Sequence, residues 1–145
     1  MVDSGDYIPS TQDWVRAHVD RYESSAGKEG RLTDRGRPVV ILTSRGRVSG
    51  KVRKTPLIKV EHEGCYAAVA SLGGAPNNPN WYHNLVADPA VHLQDGESHY
   101  ELVAREVAGD ERELWWARAV AVHPDYADYQ LKTERRIPIF VLEPR

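Results

Sequence analysis

Apolar positions first recur along this chain at helical spacing. Trp14, Val15, Val19 and Tyr22, with His18 among them, stand three and four apart and so share one face of a helix. Ser10 can cap that helix, and the glycines at 27 and 30 end it. Residues 27–37 are glycine- and charge-rich and read as a loop, whereas residues 38–43 form a continuous apolar run suited to a buried strand. After a polar stretch over 44–54, residues 55–61 and 65–71 flank Glu61-His62-Glu63-Gly64, which predicts a hairpin. A loop over 71–79 leads into a short helix over 80–86, closed by Asp88-Pro89. A second hairpin follows, 91–94 with 99–107, across Asp95-Gly96. Residues 110–122 have the acidic start and apolar stripe (Leu114, Trp115, Val122) of an amphipathic helix. His123-Pro124-Asp125 begins another short helix, and 137–142 is a last strand. Six or so antiparallel strands with helical additions predict an α+β antiparallel barrel. Residues 1–37 would form an N-terminal helix and loop packed on a barrel built from 38–145, one structural domain in all.

Length and composition narrow the class. A chain of 145 residues suits one hydrophobic core. One cysteine, Cys65, excludes a disulfide scaffold and fits a reducing cytosol. The N-terminal stretch lacks the cationic start and apolar run of a secretion signal, and no segment approaches 18 consecutive apolar residues, so a cytoplasmic protein with at most peripheral membrane contact is expected. The formal net charge of −2 offers no general attraction for nucleic acid.

That small total hides an uneven distribution. Arg45, Arg47, Lys51, Arg53 and Lys54 put five cations and no acid into ten residues, interrupted by Gly46 and Gly50. Such a run reads either as a solvated basic loop or as an anion site, in which glycines admit backbone N–H groups while arginines bind phosphate or carboxylate. Ser71-Leu72-Gly73-Gly74 followed by Pro79-Asn80-Trp81 suits a planar heteroaromatic ligand beside a phosphate, with Trp81 either against the ring or in the core. Tyr126 and Tyr129, three apart, share a helix face and serve either packing or hydrogen bonding to a substrate oxygen. Cys65 and His62 lack an orienting third group and read as packed side chains. The six histidines show no metal-ligand spacing, and there is neither a P-loop nor a G-x-G-x-x-G motif. With few acid–base pairs available, catalysis here would rely on a bound cofactor.

Taken in order, Gly46-Arg-Val-Ser-Gly50 with Arg53 and Pro56-Leu57, Ser71-x-Gly-Gly74, Asn78-Pro-x-Trp-Tyr-His-Asn-Leu85, Asp88-Pro89, Tyr126-x-x-Tyr-Gln130 and Thr133-x-Arg-x-Ile-Pro138 resemble the deazaflavin-dependent nitroreductase and quinone reductase family of actinobacteria. The resemblance runs from about residue 38 to the C-terminus. It implies a split β-barrel of the flavin-reductase, FMN-binding type that binds coenzyme F-420, an 8-hydroxy-5-deazaflavin with a phosphate and a polyglutamate tail. Hydride would pass from reduced F-420 to a quinone or other small electrophilic acceptor, nitroaromatics included. By the same resemblance, Arg47, Lys51, Arg53 and Lys54, with backbone donors around Val48 and Ser49, would hold the phosphate and tail, Pro56 would be a further cofactor-binding residue, Ser71, Gly73 and Gly74 would border the ring, and Pro79, Asn80, Trp81 and Asn84 would line the cleft. Ser71, Tyr126 and Tyr129 would orient the acceptor. The sequence departs from the family at Val48 and Leu72, where many members carry cations. Two alternatives stand beside this reading: an FMN-dependent reductase on the same barrel, and a non-catalytic binder of an anionic cofactor or lipid. Split barrels commonly pair as homodimers, and quinone acceptors would bring the protein to the inner face of the plasma membrane.

Overall fold

The apolar run after Pro38 does form a buried strand, and the rest of the sheet is assembled on it. In the computed structural model, which describes residues 5–145, seven strands are β1 (Val39–Arg45), β2 (Val52–Ile58), β3 (Glu61–His62), β4 (Cys65–Val69), β5 (Ala90–Asp95), β6 (Ser98–Glu106) and β7 (Ile139–Pro144). The helices are α1 (Asp13–Ser24), α2 (Asn80–Ala87), α3 (Gly109–Val122) and α4 (Asp125–Leu131), with a 3-10 turn at Leu72–Gly74. All strand pairs are antiparallel, in the order β2-β1-β5-β6-β7-β4-β3. The sheet curls, and one corner joins its two ends. Lys59 N–H still donates to Pro38 O on the β1 side, while Val60 O accepts from Ala67 N–H on β4. The result is a half-barrel with helices.

Strand alternation sorts the side chains. Val40, Leu42, Val91, Leu93, Leu102, Ala104, Phe140 and Leu142 point inward, and Leu85 of α2 plugs the interior. On one outer face, Val39 and Ile41 receive Val15, Val19 and Tyr22 of α1. On another, Ala67, Val69, Ile139 and Val141 receive Trp115 and Ala119 of α3 and Tyr126 of α4.

Two sequence expectations are corrected. The strand expected over 55–61 does not pair with the one expected over 65–71. Its main part is β2, which forms a hairpin with β1 across the cationic segment, in register Val39 with Ile58 and Arg45 with Val52. Only Glu61 and His62 remain to pair with Tyr66 and Cys65. The reason is the corner: the turn at Glu63-Gly64 is real, but the chain changes sheet edges at Lys59–Val60, too early for a long hairpin. Second, Ser10 is not the helix cap. Its hydroxyl accepts from Gln12 N–H and its carbonyl from Arg16, so α1 starts three residues later. The residues before α1 add a contact that no sequence signal marked. Tyr7 bridges Val52 in parallel, with Val52 N–H donating to Asp6 O and Ile8 N–H to Val52 O, and so covers the open edge of β2. Residues 1–4 of the expected N-terminal unit lie outside the described residues.

Candidate active site

Connecting β1 to β2 takes the chain through Gly46–Lys51, a loop closed on itself. Gly46 N–H donates to Lys51 O, Gly50 N–H to Gly46 O, and Lys51 N–H to the Ser49 hydroxyl. A Cβ on Gly46 would stand 2.8 Å from Ser49 Oγ, so a side chain there would displace the serine hydroxyl from its bond to Lys51 N–H. The loop is pinned to α2 by one buried side chain, Asn84, whose Oδ1 accepts the Arg47 N–H at 3.0 Å. Between this loop, α2 and the N-terminal segment lies a groove of about 580 Å³. Its basic wall is Arg47, Arg53 and Lys54, and Trp81 and Leu72 supply apolar surface. That volume falls in the range of a cofactor cleft, roughly 300–1,000 Å³.

Not every cation of the run is equally available. Lys51 pairs with Asp6 at 3.4 Å, and Lys54 pairs with Glu23 at 2.6 Å beneath which lies the Tyr7 ring. Arg45 donates to Gly50 O and turns away from the groove lining. Arg47 and Arg53 make no ion pair among the described residues, and both line the groove. Arg47 is exposed and Arg53 half-buried, so neither carries a large desolvation penalty of its own.

The groove collects most of the residues singled out from the sequence: Arg47, Val48, Ser49, Arg53, Lys54, Pro79, Asn80, Trp81 and Asn84. Trp81 combines both of its readings, lining the groove while its ring lies 6.3 Å from Phe140 of the interior. Lys51 and Pro56 do not line it; Pro56 pairs with Ile41 in the sheet. Ser71, Gly73 and Gly74 sit immediately behind, on the turn whose Leu72 reaches the groove. Leu72 has a left-handed φ of +45°, strained for a leucine, and Gly73 and Gly74 continue at +63° and +84°. Gly74 is required, because a Cβ there would be 2.5 Å from the Tyr129 carbonyl oxygen. That close approach seats α4 against the turn.

On α4, Tyr126 is buried against Trp116 and His123, and Tyr129 is half-buried 6.1 Å away, ring to ring. Neither hydroxyl bonds to a protein group among the described residues. Burial raises the pKa of both above the ordinary phenol value, with Tyr129 adding to the rise at Tyr126 and Asp125 to the rise at Tyr129. Both therefore stay protonated at neutral pH. His123 is buried with Nδ1 unpartnered, and burial lowers its pKa. Ile8, Ser10, Gln12 and Val15 also line the groove, and sequence reasoning missed them, since nothing local links that segment to a site 40 residues on. Cys65 is half-buried and His62 packs edge-on to Trp115. No group of three or more metal-ligating side chains comes together among the described residues, and no helix there is long and apolar enough to cross a membrane.

A curled antiparallel half-barrel with helices is the split-barrel fold. The chain belongs to the F420H(2)-dependent quinone reductase family, whose model matches residues 14–144, and is thus an oxidoreductase that uses coenzyme F-420. An F420H(2)-dependent quinone reductase of Mycobacterium tuberculosis is 32% identical over 134 residues, 90% of each chain. Among solved structures, an F420-H2 dependent reductase is 51% identical with a TM-score of 0.70, covering 74% of this chain and 95% of that one. A second, described as a domain-swapped dimer, is 45% identical with a TM-score of 0.73, covering 92% and 100%. A FAD-binding protein of Mesorhizobium loti, 14% identical at a TM-score of 0.53 over 74% of this chain and 79% of that one, shares the fold alone.

Proposed function

We propose that the groove holds F-420 with its phosphate and glutamate tail on Arg47 and Arg53 and its ring toward Ser71, Gly73 and Gly74, beside an acceptor site at Tyr126 and Tyr129. The observation that carries this reading is the pair of arginines without acidic partners in a groove whose third cation, Lys54, is already paired with Glu23. A linear polyanion suits two fixed guanidinium groups a few residues apart, each able to bind an oxygen pair. Asn84 holds the Arg47 backbone in place for that contact.

Bound reduced F-420 supplies a hydride, and a quinone takes it together with one proton to become a quinol. The tyrosine hydroxyls, kept neutral by burial and unbonded within the protein, are donors that orient the quinone oxygen and stabilise negative charge on it. Their raised pKa values make them weak acids, so the proton is best supplied through water. Trp81 and Leu72 supply the apolar surface of the groove against which a ring can lie.

Titration with oxidised F-420 and with FMN tests the cofactor, followed by mixing reduced F-420 with a soluble quinone. Selective F-420 binding and quinone-dependent reoxidation are expected; FMN binding in its place overturns the assignment. Arg47→Glu and Arg53→Glu should each weaken F-420 by about 1.5–3 kcal/mol, or ten- to a hundredfold. Pairing of copies into a homodimer belongs to the same reading, supported by the domain-swapped relative, and sedimentation equilibrium checks it. So does a cytoplasmic site of action at the membrane surface where quinones reside, which cell fractionation checks.

A further inference from the structure

Arg135 stands on the segment between α4 and β7, in none of the groove walls, yet it has the most committed side chain near the site. Its Nε donates to Ala75 O at 2.8 Å, Nη1 to Ala70 O at 3.0 Å and to Asn78 Oδ1 at 2.8 Å, and Nη2 to Ser71 O at 2.7 Å. Every one of these acceptors lies on residues 70–78, the segment that carries the strained Leu72 and reaches the groove through Leu72 and Asn78. From the other side, Gln130 of α4 holds the backbone of the segment that carries Arg135: its Nε2 donates to Arg135 O and its Oε1 accepts from Ile137 N–H. Gly74 meets the Tyr129 backbone with no room for a methyl group.

The charge of Arg135 is as informative as its bonds. Among the described residues no carboxylate lies within ion-pair distance of it, and burial lowers its pKa without a compensating anion. A cation caged by neutral carbonyls is a poor device for stability alone, since burial opposes the charge and no Coulomb partner offsets it. It is well suited to fixing a backbone that would otherwise relax. A left-handed leucine persists only where its surroundings over-determine it.

We propose that Arg135 is a positioning residue, which with Gln130 straps the Ser71–Gly74 turn on the cofactor side to the tyrosine helix α4 on the acceptor side and so sets the separation of the two halves of the site. This rests on the F-420 reading above for the identity of the two halves. The strap itself is a property of the protein without ligand. Only the guanidinium fork reaches three carbonyls and an amide oxygen at once, so lysine cannot replace it.

The test compares wild type with Arg135→Lys, Arg135→Met and Gln130→Met. Amide hydrogen exchange of the ligand-free proteins should show protection lost over 70–78 in both Arg135 variants, with β1 and β2 unchanged. F-420 affinity should fall about tenfold or more in them, as expected for loss of charge-assisted hydrogen bonds. Gln130→Met, which touches neither the groove nor the Arg135 guanidinium, should lower kcat for quinone reduction while KM for the quinone stays near wild type. Exchange that rises across the whole barrel, or wild-type F-420 affinity in Arg135→Lys, overturns the proposal by reducing Arg135 to a general structural role. If the Arg135 variants do not fold, Gln130→Met decides, and wild-type kcat in it overturns the strap. Failure of wild type to bind F-420 would instead overturn the cofactor reading, while exchange confined to 70–78 in Arg135→Lys would still distinguish the strap.

Discussion

Asn84 shows how much one short side chain does at this site. Buried on α2, it accepts the Arg47 N–H and so sets where the basic loop stands. Asn84→Ala should cost about 0.5–1.5 kcal/mol of stability, the net worth of one hydrogen bond to a part-buried donor, read as a shift in denaturant midpoint. Asn84→Asp keeps an accepting oxygen but places an anion on the groove wall, so it should spare stability more than alanine does and weaken F-420 binding more; calorimetric titration of both variants checks this. His123 makes a pH prediction. Burial is the main cause of its lowered pKa, reinforced by Arg37 and Arg35 and opposed by Asp125. The unfolded chain therefore binds more protons at and below the ordinary histidine value, and the stability due to neutral His123 is present above about pH 6.5 and lost as pH falls below it. Urea midpoints between pH 8 and pH 5 should decline less steeply in His123→Gln than in wild type, and equal slopes would assign the decline to another group.

Each helix holds the barrel at a point where a single residue can be tested. Tyr22 of α1 is fully buried; its hydroxyl donates to Val39 O and accepts from Gly96 N–H, tying the helix to β1 and to the β5–β6 turn. Tyr22→Phe should lose about 1–3 kcal/mol by stranding the Gly96 donor, measured by thermal or chemical unfolding. At the other side, Gly74→Ala forces either the turn or α4 to move, and should lower both stability and quinone turnover. The helices and the β5–β6 hairpin were legible in the sequence because their signals are local: Asp95-Gly96 between alternating runs, an acidic start before Trp115, Pro124 at a first turn. The pairing of β2 was not, since the same apolar residues fit a partner on either side and only the corner at Lys59–Val60 decides between them. The N-terminal contribution to the groove was equally silent, because Ile8 and Gln12 carry no chemistry of their own.

For the molecule as a whole, charge is arranged more sparingly than composition suggests. The five clustered cations reduce to two arginines free of acids in the groove, set in a chain that is otherwise acidic. Attraction of a polyanion should therefore be strongly screened: F-420 affinity should drop as sodium chloride rises from low to high concentration, as the Debye length shrinks from about 10 Å at 0.1 M toward 3 Å at 1 M. Fluorescence titration at several salt concentrations checks it, and the slope should flatten in Arg47→Glu. The sheet order carries a consequence for biogenesis. The last strand, β7, lies between β6 and β4 and bonds to both. During synthesis on the ribosome, β4 and β6 thus wait with bare edges until residues 139–144 emerge, and over that interval the nascent chain depends on protection from neighbours whose own strands could take the vacant place.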